Sequence, residues 1–329
     1  MSSEPEPPTT TDERLAMLAA LVNGDVSLAY RLATELLAHG MPFDDIVVDI
    51  LGPVQTEVGR RWAAGDLGVA YEHAASAAVE ELLVRLGATA EASLGPTVVV
   101  ASAQGDAHAL GSRVVASALA LDGFRVLFLG PSVPADDLGD FLELHQPLAL
   151  ALSCSISTAL VGAARSVAAA HDAGIPVVGG GRVLAVGDRA ARLGVDALAQ
   201  SPRDAQEVLR AWELSPPDDL ATAPAPIPEH ALLSHRRNAL VATALDAATN
   251  GDGGELDLAD ELQRVLGVVE GSLLIDDPDL LRGHVRWLQE TGPAHGFARP
   301  MVDAALVALA EGMTLDLARA GETLRVALR

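Results

Sequence analysis

Residues 97–111 read Thr-Val-Val-Val-Ala-Ser-Ala-Gln-Gly-Asp-Ala-His-Ala-Leu-Gly, and this stretch decides the fold. Its first part, 97–102, is a short apolar run rich in β-branched residues, which is typical of a strand buried on both faces. A glycine-containing polar loop follows, and a helical apolar pattern begins near Leu110. A buried strand that leads through a short loop into a helix predicts the first unit of a doubly wound parallel sheet.

The same alternation continues along the chain. Short apolar runs are separated by longer stretches with helical spacing, and the runs lie at 97–102, 125–130, 148–153, 176–179 and 197–200. Strands that alternate with helices indicate a parallel sheet covered by helices on both sides. We therefore predict a Rossmann-like domain at 93–214.

Helical patterns precede this domain. After a polar, proline-rich tail at 1–11, apolar residues recur at helical spacing through 12–92, with breaks at 23–25, 39–42 and 64–66. The breaks predict four helices, and short connections make antiparallel neighbours. The expected packing is a four-helix bundle.

A further helical region follows the predicted sheet. The segment 215–228 contains five prolines and reads as a linker. Beyond it, 229–329 shows about five helical stretches without strand-like alternation, and their breaks lie at 250–254, Gly271, 276–278, 291–296 and Gly312. The sequence thus predicts a multidomain α and α/β protein that ends in an all-α domain.

Composition excludes several classes of function. The chain has 22 basic residues, all arginine, against 45 acidic ones, and a net charge of −23 opposes direct nucleic-acid binding. No apolar run approaches the roughly 20 residues of a membrane span, and the polar start is unlike a signal peptide, so we expect a cytoplasmic location. Cys154, the single cysteine, cannot form an internal disulfide or build a thiolate metal site.

A spaced motif follows the first predicted strand. Asp106, His108 and Gly111 form the pattern DxHxxG, and 41 residues separate Gly111 from Ser153. The glycine pair Gly179-Gly180 comes later. This arrangement resembles the cobalamin-binding domains of methionine synthase, the mutases, corrinoid methyltransferase proteins and light-sensing regulators. Two departures exist, because Ser155 stands where the family has leucine and the last spacing is a few residues short.

The resemblance implies a role for each motif residue. His108 would be the lower ligand of the cobalt, and Asp106 would hydrogen-bond the other ring nitrogen and fix the tautomer. Small residues would leave room for the nucleotide tail of the cofactor, and these are Gly111, Ser153, Ser155, Gly179 and Gly180. The alternative is that Asp106 and His108 form a loop pair that holds no ligand.

The helical region before the sheet has a second motif. Trp62 is followed after nine residues by Glu72-His73. This Wx9EH pattern resembles the cap of light-sensing adenosylcobalamin proteins and implies that Trp62 and Glu72 shelter the adenosyl group. Related regulators have a histidine directly after the tryptophan, whereas this chain has Ala63. After illumination, the upper cobalt position would therefore be taken by His73, by water or by no protein ligand. The alternative is a core tryptophan and a solvated helix start.

The order of the three regions resembles photocobilins, receptors that carry biliverdin beside cobalamin. The resemblance implies that 229–329 binds biliverdin. Arginines could pair with its propionates and histidines could lie near its pyrroles, and the candidates are His235, Arg236, Arg282, His284 and Arg286. Since Cys154 lies in the predicted sheet domain, a bilin would be held without a covalent bond. The alternative is a dimerisation domain with solvated arginines.

Two classes of function follow. In the first, the protein is a light sensor rather than an enzyme: adenosylcobalamin loses its adenosyl group, and domain packing or oligomeric state changes. This class implies a homo-oligomer and an unidentified downstream protein partner. In the second, the protein is a corrinoid carrier that shuttles methyl groups for a methyltransferase system. The Wx9EH pattern favours the sensor, because a carrier must expose its methyl group.

Overall fold

The computed structural model describes residues 10–87, 94–225, 227–248 and 255–329. The first of these ranges forms the N-terminal helices, which bury a common apolar core. They are α1 (Thr10–Val22), α2 (Val26–Ala38), α3 (Phe43–Asp45), a π-helical segment (Ile46–Leu51), α4 (Gly52–Ala63) and α5 (Val69–Gly87). A helical N-terminal region is thereby confirmed. Residues 1–9 of the predicted tail lie outside the described ranges, and α1 already begins at Thr10.

The sheet domain follows the N-terminal helices. Its elements are β1 (Thr97–Ser102), α6 (Leu110–Leu121), β2 (Arg125–Gly130), α7 (Ala135–His145), β3 (Ala149–Ser153), α8 (Leu160–Asp172), β4 (Val177–Gly180), α9 (Arg189–Arg192), β5 (Ala197–Leu198) and α10 (Pro202–Leu214). The five strands are all parallel and lie in the order β2-β1-β3-β4-β5. The predicted parallel sheet is confirmed.

Both faces of the sheet are covered, which explains the unbroken apolar runs. In β1, Val98 and Val100 pack with α6 and α10, whereas Val99 and Ala101 join the core on the opposite face with α7 and α8. The chain moves to one side of β1 for β2 and to the other side for β3. The carboxyl ends of β1 and β3 are therefore adjacent at the switch point, where Ser102 pairs with Ser153.

The C-terminal helices complete the structure. They are α11 (His230–Ala248), α12 (Glu255–Leu274), α13 (Pro278–Thr291), α14 (Arg299–Gly312) and α15 (Ala318–Ala327), with short 3-10 segments at Gly292–His295 and Leu315–Leu317. A C-terminal helical region is confirmed. The predicted break at 250–254 lies outside the described residues.

The predicted break at Gly271 is wrong, because this glycine lies inside α12. A Cβ at Gly271 would sit 3.2 Å from the Cβ of Leu160, the first residue of α8. One turn earlier, a Cβ at Gly267 would lie 3.7 Å from the carbonyl oxygen of Thr158. The two glycines permit close packing of α12 on the segment after β3, so here they mark an interhelical contact and no helix end.

The C-terminal helices share a core with the sheet domain. One continuous cluster of buried side chains includes Leu152 in β3, Leu160 in α8 and Leu262 in α12. The predicted linker also contacts the sheet domain, since the Ala221 amide donates to Asp196 Oδ1 at 2.7 Å. In the described part of the chain, no helix is both long and apolar enough to cross a membrane.

Candidate cofactor site

A buried carboxylate organises the loop after β1. Asp106 is fully buried. Its Oδ1 accepts hydrogen bonds from the His108 amide at 3.0 Å and from His108 Nδ1 at 2.9 Å, and its Oδ2 accepts one from the Ser155 amide at 2.5 Å. Three donors compensate the loss of water around a buried carboxylate. Asp106 therefore joins the loop after β1 to the loop after β3.

The ring of His108 stands out from this loop. Its side chain is 58% exposed although its partner Asp106 is buried. Because Nδ1 bonds to the carboxylate, Nε2 is the nitrogen left for a metal. The hydrogen bond with Asp106 is the main cause of a raised pKa of His108, while burial of the ring and the charge of Arg182 oppose it and the charge of Glu72 adds to it.

Two serines that sequence reasoning missed hold the backbone of this loop. Ser102 Oγ donates to the His108 carbonyl at 3.1 Å, and Ser112 Oγ donates to the Ala109 carbonyl at 2.9 Å. The two hydroxyl oxygens lie 2.9 Å apart, and both residues are buried. The signal in the sequence is a serine at the end of the first strand and another directly after Gly111.

A cavity of about 220 Å³ opens beside the loop, between α6 and α10 and over the ends of the central strands. Four of the predicted tail contacts line it, namely Gly111, Ser153, Gly179 and Gly180. A Cβ at Gly111 would lie 3.2 Å from Ser153 Oγ, and one at Gly179 would lie 2.7 Å from Val195 Cγ1. A side chain at Gly179 would therefore clash with Val195, and one at Gly111 would press on Ser153.

Ser155 differs from the other predicted tail contacts. It is outside the cavity lining, and its amide bonds to Asp106. The sequence did not reveal that Ser112, Val115, Ala199, Gln200 and Ser201 also line the cavity. Ser201 is the N-cap residue of α10, and its Oγ accepts a hydrogen bond from the Asp204 amide at 3.1 Å. Ser201 lines the cavity because α10 begins there.

The Wx9EH residues occupy two places. Glu72 lies in the first turn of α5, and its Oε2 is 2.7 Å from Nδ1 of the adjacent His73. The charge of Glu72 contributes to the raised pKa of His108. Trp62 lies in the last turn of α4, and its ring is near-parallel to that of Trp287 in α13, with centroids 6.4 Å apart. The N-terminal helices thus contact both other parts of the protein.

The predicted bilin contacts lie on two helices that both pack against α12. On α11, His235 is exposed and Arg236 donates to the Gly312 carbonyl at 3.4 Å. On α13, Arg282 pairs with Asp279, Arg286 is exposed and His284 Nε2 lies 3.2 Å from the buried Glu261 Oε1. Burial alone would raise the pKa of Glu261, but the neighbouring His284 and Arg264 lower it. Biliverdin binding stays a prediction.

The residues present fit a cobalamin. His108 offers one ring nitrogen while the other is held by a buried carboxylate, and the adjacent cavity is lined by glycine, serine and valine. His108 would ligate the cobalt while Asp106 orients its ring, and the cavity would take the nucleotide tail. Among the described residues, no cluster of three or more His, Cys, Asp and Glu side chains could hold a metal ion.

Comparisons with known proteins point to the same cofactor. Two family profiles, each described as a B12 binding domain, match residues 96–209 and 14–86. Trimethylamine corrinoid protein 1 of Methanosarcina acetivorans is 30% identical over 205 residues, which span 58% of this chain and 93% of that protein. The HTH-type transcriptional repressor CarH of Myxococcus xanthus is 35% identical over 143 residues, 43% of this chain and 46% of the repressor.

A solved structure shows the shared fold. The monomethylamine corrinoid protein of Methanosarcina barkeri is 24% identical, with a TM-score of 0.50, and the match covers 63% of this chain and 100% of that one. The fold, the loop after β1 and these matches define a cobalamin-binding protein. The chain belongs to the B12-binding family that includes the corrinoid proteins.

Proposed function

We propose that this protein is a light-dependent adenosylcobalamin sensor, in which loss of the upper ligand changes the packing of the helical regions or the oligomeric state. One observation carries the proposal: Trp62, the predicted shelter of the adenosyl group, stacks against Trp287 of the C-terminal helices. Both family matches end before these helices, at residues 86 and 209. A region outside the cofactor-binding core thus contacts the predicted upper face.

A second contact at the same place supports this proposal. A Cβ at Gly65, in the turn after α4, would lie 3.4 Å from the Ala294 Cβ, just beyond α13. Corrinoid carriers present their methyl group to the active sites of partner enzymes, which requires access to the upper face. Helices packed against the N-terminal cap restrict such access, and they can transmit a movement of the cap.

Each group of residues has a separate task in this proposal. Asp106 orients the ring of His108, which would ligate the cobalt, and the glycine-lined cavity would hold the nucleotide tail. Trp62 and Glu72 would exclude water from the adenosyl group. Adenosylcobalamin supplies a cobalt–carbon bond that light breaks. The protein itself then acts by rearrangement, with a homo-oligomer and a downstream protein partner as the proposed recipients of the signal.

The test compares protein loaded with adenosylcobalamin in the dark and after green light. We expect tighter binding of adenosylcobalamin than of methylcobalamin, a light-induced change in the absorption spectrum, and a light-induced change in elution volume on size-exclusion chromatography. Equal affinities and identical elution volumes would contradict the sensor. A methylcobalamin-loaded sample kept in the dark is the control for effects of cofactor binding alone.

The second candidate is a corrinoid carrier of a methyltransferase system. It is favoured by the match to trimethylamine corrinoid protein 1, which extends over 93% of that protein. This candidate predicts methyl transfer from the methylcobalamin-loaded protein to an added thiol acceptor, without dependence on light. Efficient transfer together with an unchanged elution volume would establish the carrier in place of the sensor.

A further inference from the structure

Helix α13 is attached at its start to the sheet domain. Asp277 caps the helix by accepting the Asp279 amide at 2.9 Å, and its other oxygen accepts from Arg189 Nε of α9 at 2.6 Å. Arg189 is nearly buried. Next to it, Arg192 donates to the carbonyls of Ile275 and Asp276 at 3.0 and 2.7 Å. The first turn of α13 is thereby fixed relative to the sheet that carries the cobalt ligand.

The far part of α13 contacts the N-terminal helices through Trp287. Its ring lies near-parallel to that of Trp62, with an interplanar angle of 20°. His284, one turn earlier in α13, is also near-parallel to Trp287, with centroids 5.7 Å apart and an angle of 27°. The buried Glu261 of α12 in turn faces His284. Trp287 is 40% exposed and has two ring contacts, one to Trp62 and one to His284.

Helix α13 thus connects the sheet domain, which contains His108, with the N-terminal helices, which contain Trp62. This connection does not depend on a bound cofactor. We infer that Trp287 is a positioning residue for the upper face: it holds the ring of Trp62 in place, so that the C-terminal helices contribute to the choice of the upper ligand. The inference rests on the proposed function for the place of Trp62 beside that ligand. Without the facing ring, Trp62 loses a stacked partner and gains access to solvent.

The first experiment measures Trp62 directly and needs no cofactor. The three tryptophans are Trp62, Trp212 and Trp287, so replacing the last two leaves Trp62 as the only indole. We compare Trp212→Phe/Trp287→Phe with Trp212→Phe/Trp287→Ala by acrylamide quenching. The phenylalanine variant keeps an aromatic partner, whereas the alanine variant should show a red-shifted emission and a larger quenching constant. Equal quenching in the two proteins would overturn the inference.

The second experiment measures ligand choice in the full chain, as the ratio of the dissociation constants for methylcobalamin and adenosylcobalamin. In Trp287→Ala this ratio should fall by about twofold to tenfold, the range expected when a stacked aromatic pair is lost. Trp287→Phe should keep most of the wild-type ratio. Trp212→Phe, which alters a half-buried tryptophan of the sheet domain, should leave the ratio unchanged.

The two experiments separate the inference from the proposed function. Binding of hydroxocobalamin and a cooperative thermal transition verify that each variant is folded. A wild-type ratio well above one that survives in Trp287→Ala overturns the inference and leaves the sensor intact. A wild-type ratio of dissociation constants near one overturns the proposed sensor. If Trp62 is nevertheless quenched more strongly in the alanine variant, the contact by which Trp287 positions Trp62 is still established.

Discussion

At the scale of single residues, the cofactor site depends on one buried carboxylate. Asp106 has no exposed surface, yet it binds the ring and the amide of His108 as well as the Ser155 amide. It therefore sets the direction of the imidazole and also the distance between two loops. A histidine held in this way loses little freedom when it binds a metal, because its ring is oriented beforehand.

The corresponding prediction concerns Asp106→Asn and His108→Ala. The asparagine keeps the size of the side chain but removes the charge, so cobalamin should bind about 10-fold to 100-fold more weakly, the usual effect of losing such a partner. His108→Ala should abolish protein nitrogen ligation. Electron paramagnetic resonance of the cobalt(II) form, with isotope-labelled cofactor base, checks the ligand, and hyperfine splitting unchanged in His108→Ala would disprove the assignment.

The control for this pair is Asp137→Asn. Asp137 is an exposed carboxylate in the first turn of α7 of the same domain. Its replacement should leave cobalamin affinity and the resonance spectrum unchanged. If Asp137→Asn weakened cobalamin binding as much as Asp106→Asn does, the loss of affinity would come from the change in net charge and not from the lost bond to His108.

At the scale of secondary-structure elements, the spacing of α6 and α10 creates the cavity. Both helices pack on the same face of the sheet, and Gly111 and Gly180 keep side chains out of the space between them. Val115, half-buried on α6, lines this space. The cavity therefore has room for a tail only while the facing residues remain small.

We predict that Val115→Phe fills part of the cavity and weakens cobalamin binding by about fivefold to a hundredfold, corresponding to about 1–3 kcal/mol for overpacking. Cobinamide, which lacks the nucleotide tail, should bind the variant as tightly as the wild type. Val186→Phe, at an exposed position of the same domain, is the control and should change neither affinity. Equal losses for cobalamin and cobinamide in Val115→Phe would mean that the cavity does not receive the tail.

At the scale of the whole molecule, the C-terminal helices are part of the same packed body as the sheet domain. The buried cluster runs from Leu152 through Leu160 to Leu262, and Arg189 binds Asp277 across the interface. Removing one partner of such a pair costs more than in an exposed pair, because the other charge is left nearly buried and without its partner. In the proposed sensor, these contacts would carry a movement of the N-terminal helices through Trp287 to the C-terminal helices and the sheet.

The predicted second chromophore belongs to this scale. Titration with biliverdin should shift its visible band, and zinc-stained gels of the denatured complex should show no fluorescent band. The reason is that Cys154, the only thiol, is fully buried in the sheet domain, where burial raises its pKa above the usual range. A fluorescent band after denaturation would contradict non-covalent binding. An unshifted visible band would show that biliverdin does not bind. Arg31→Ala, at an exposed arginine of α2 outside the predicted contacts, is the control and should leave the band shift unchanged.

Local patterns of the sequence determined much of this architecture. Buried parallel strands must be apolar on both faces, so the runs at 97–102 and 148–153 correspond to the buried strands β1 (Thr97–Ser102) and β3 (Ala149–Ser153). The motif of Asp106, His108 and Gly111 is contiguous, and its hydrogen bonds within the loop span two residues. Short-range geometry of this kind is encoded by neighbouring residues, so the loop is recognisable in the sequence, and its resemblance to cobalamin-binding domains predicted the cofactor class.

Which distant surfaces of the chain meet could be learned only from its folded form. The helical spacing around Gly271 is the same whether the glycine ends a helix or admits a neighbour, and the contact with Leu160 settles this. Likewise, Trp62 and Trp287 are far apart in the chain, and no periodicity predicts that their rings stack. Long-range packing depends on the shapes of complete surfaces, and these exist only after the local elements have assembled.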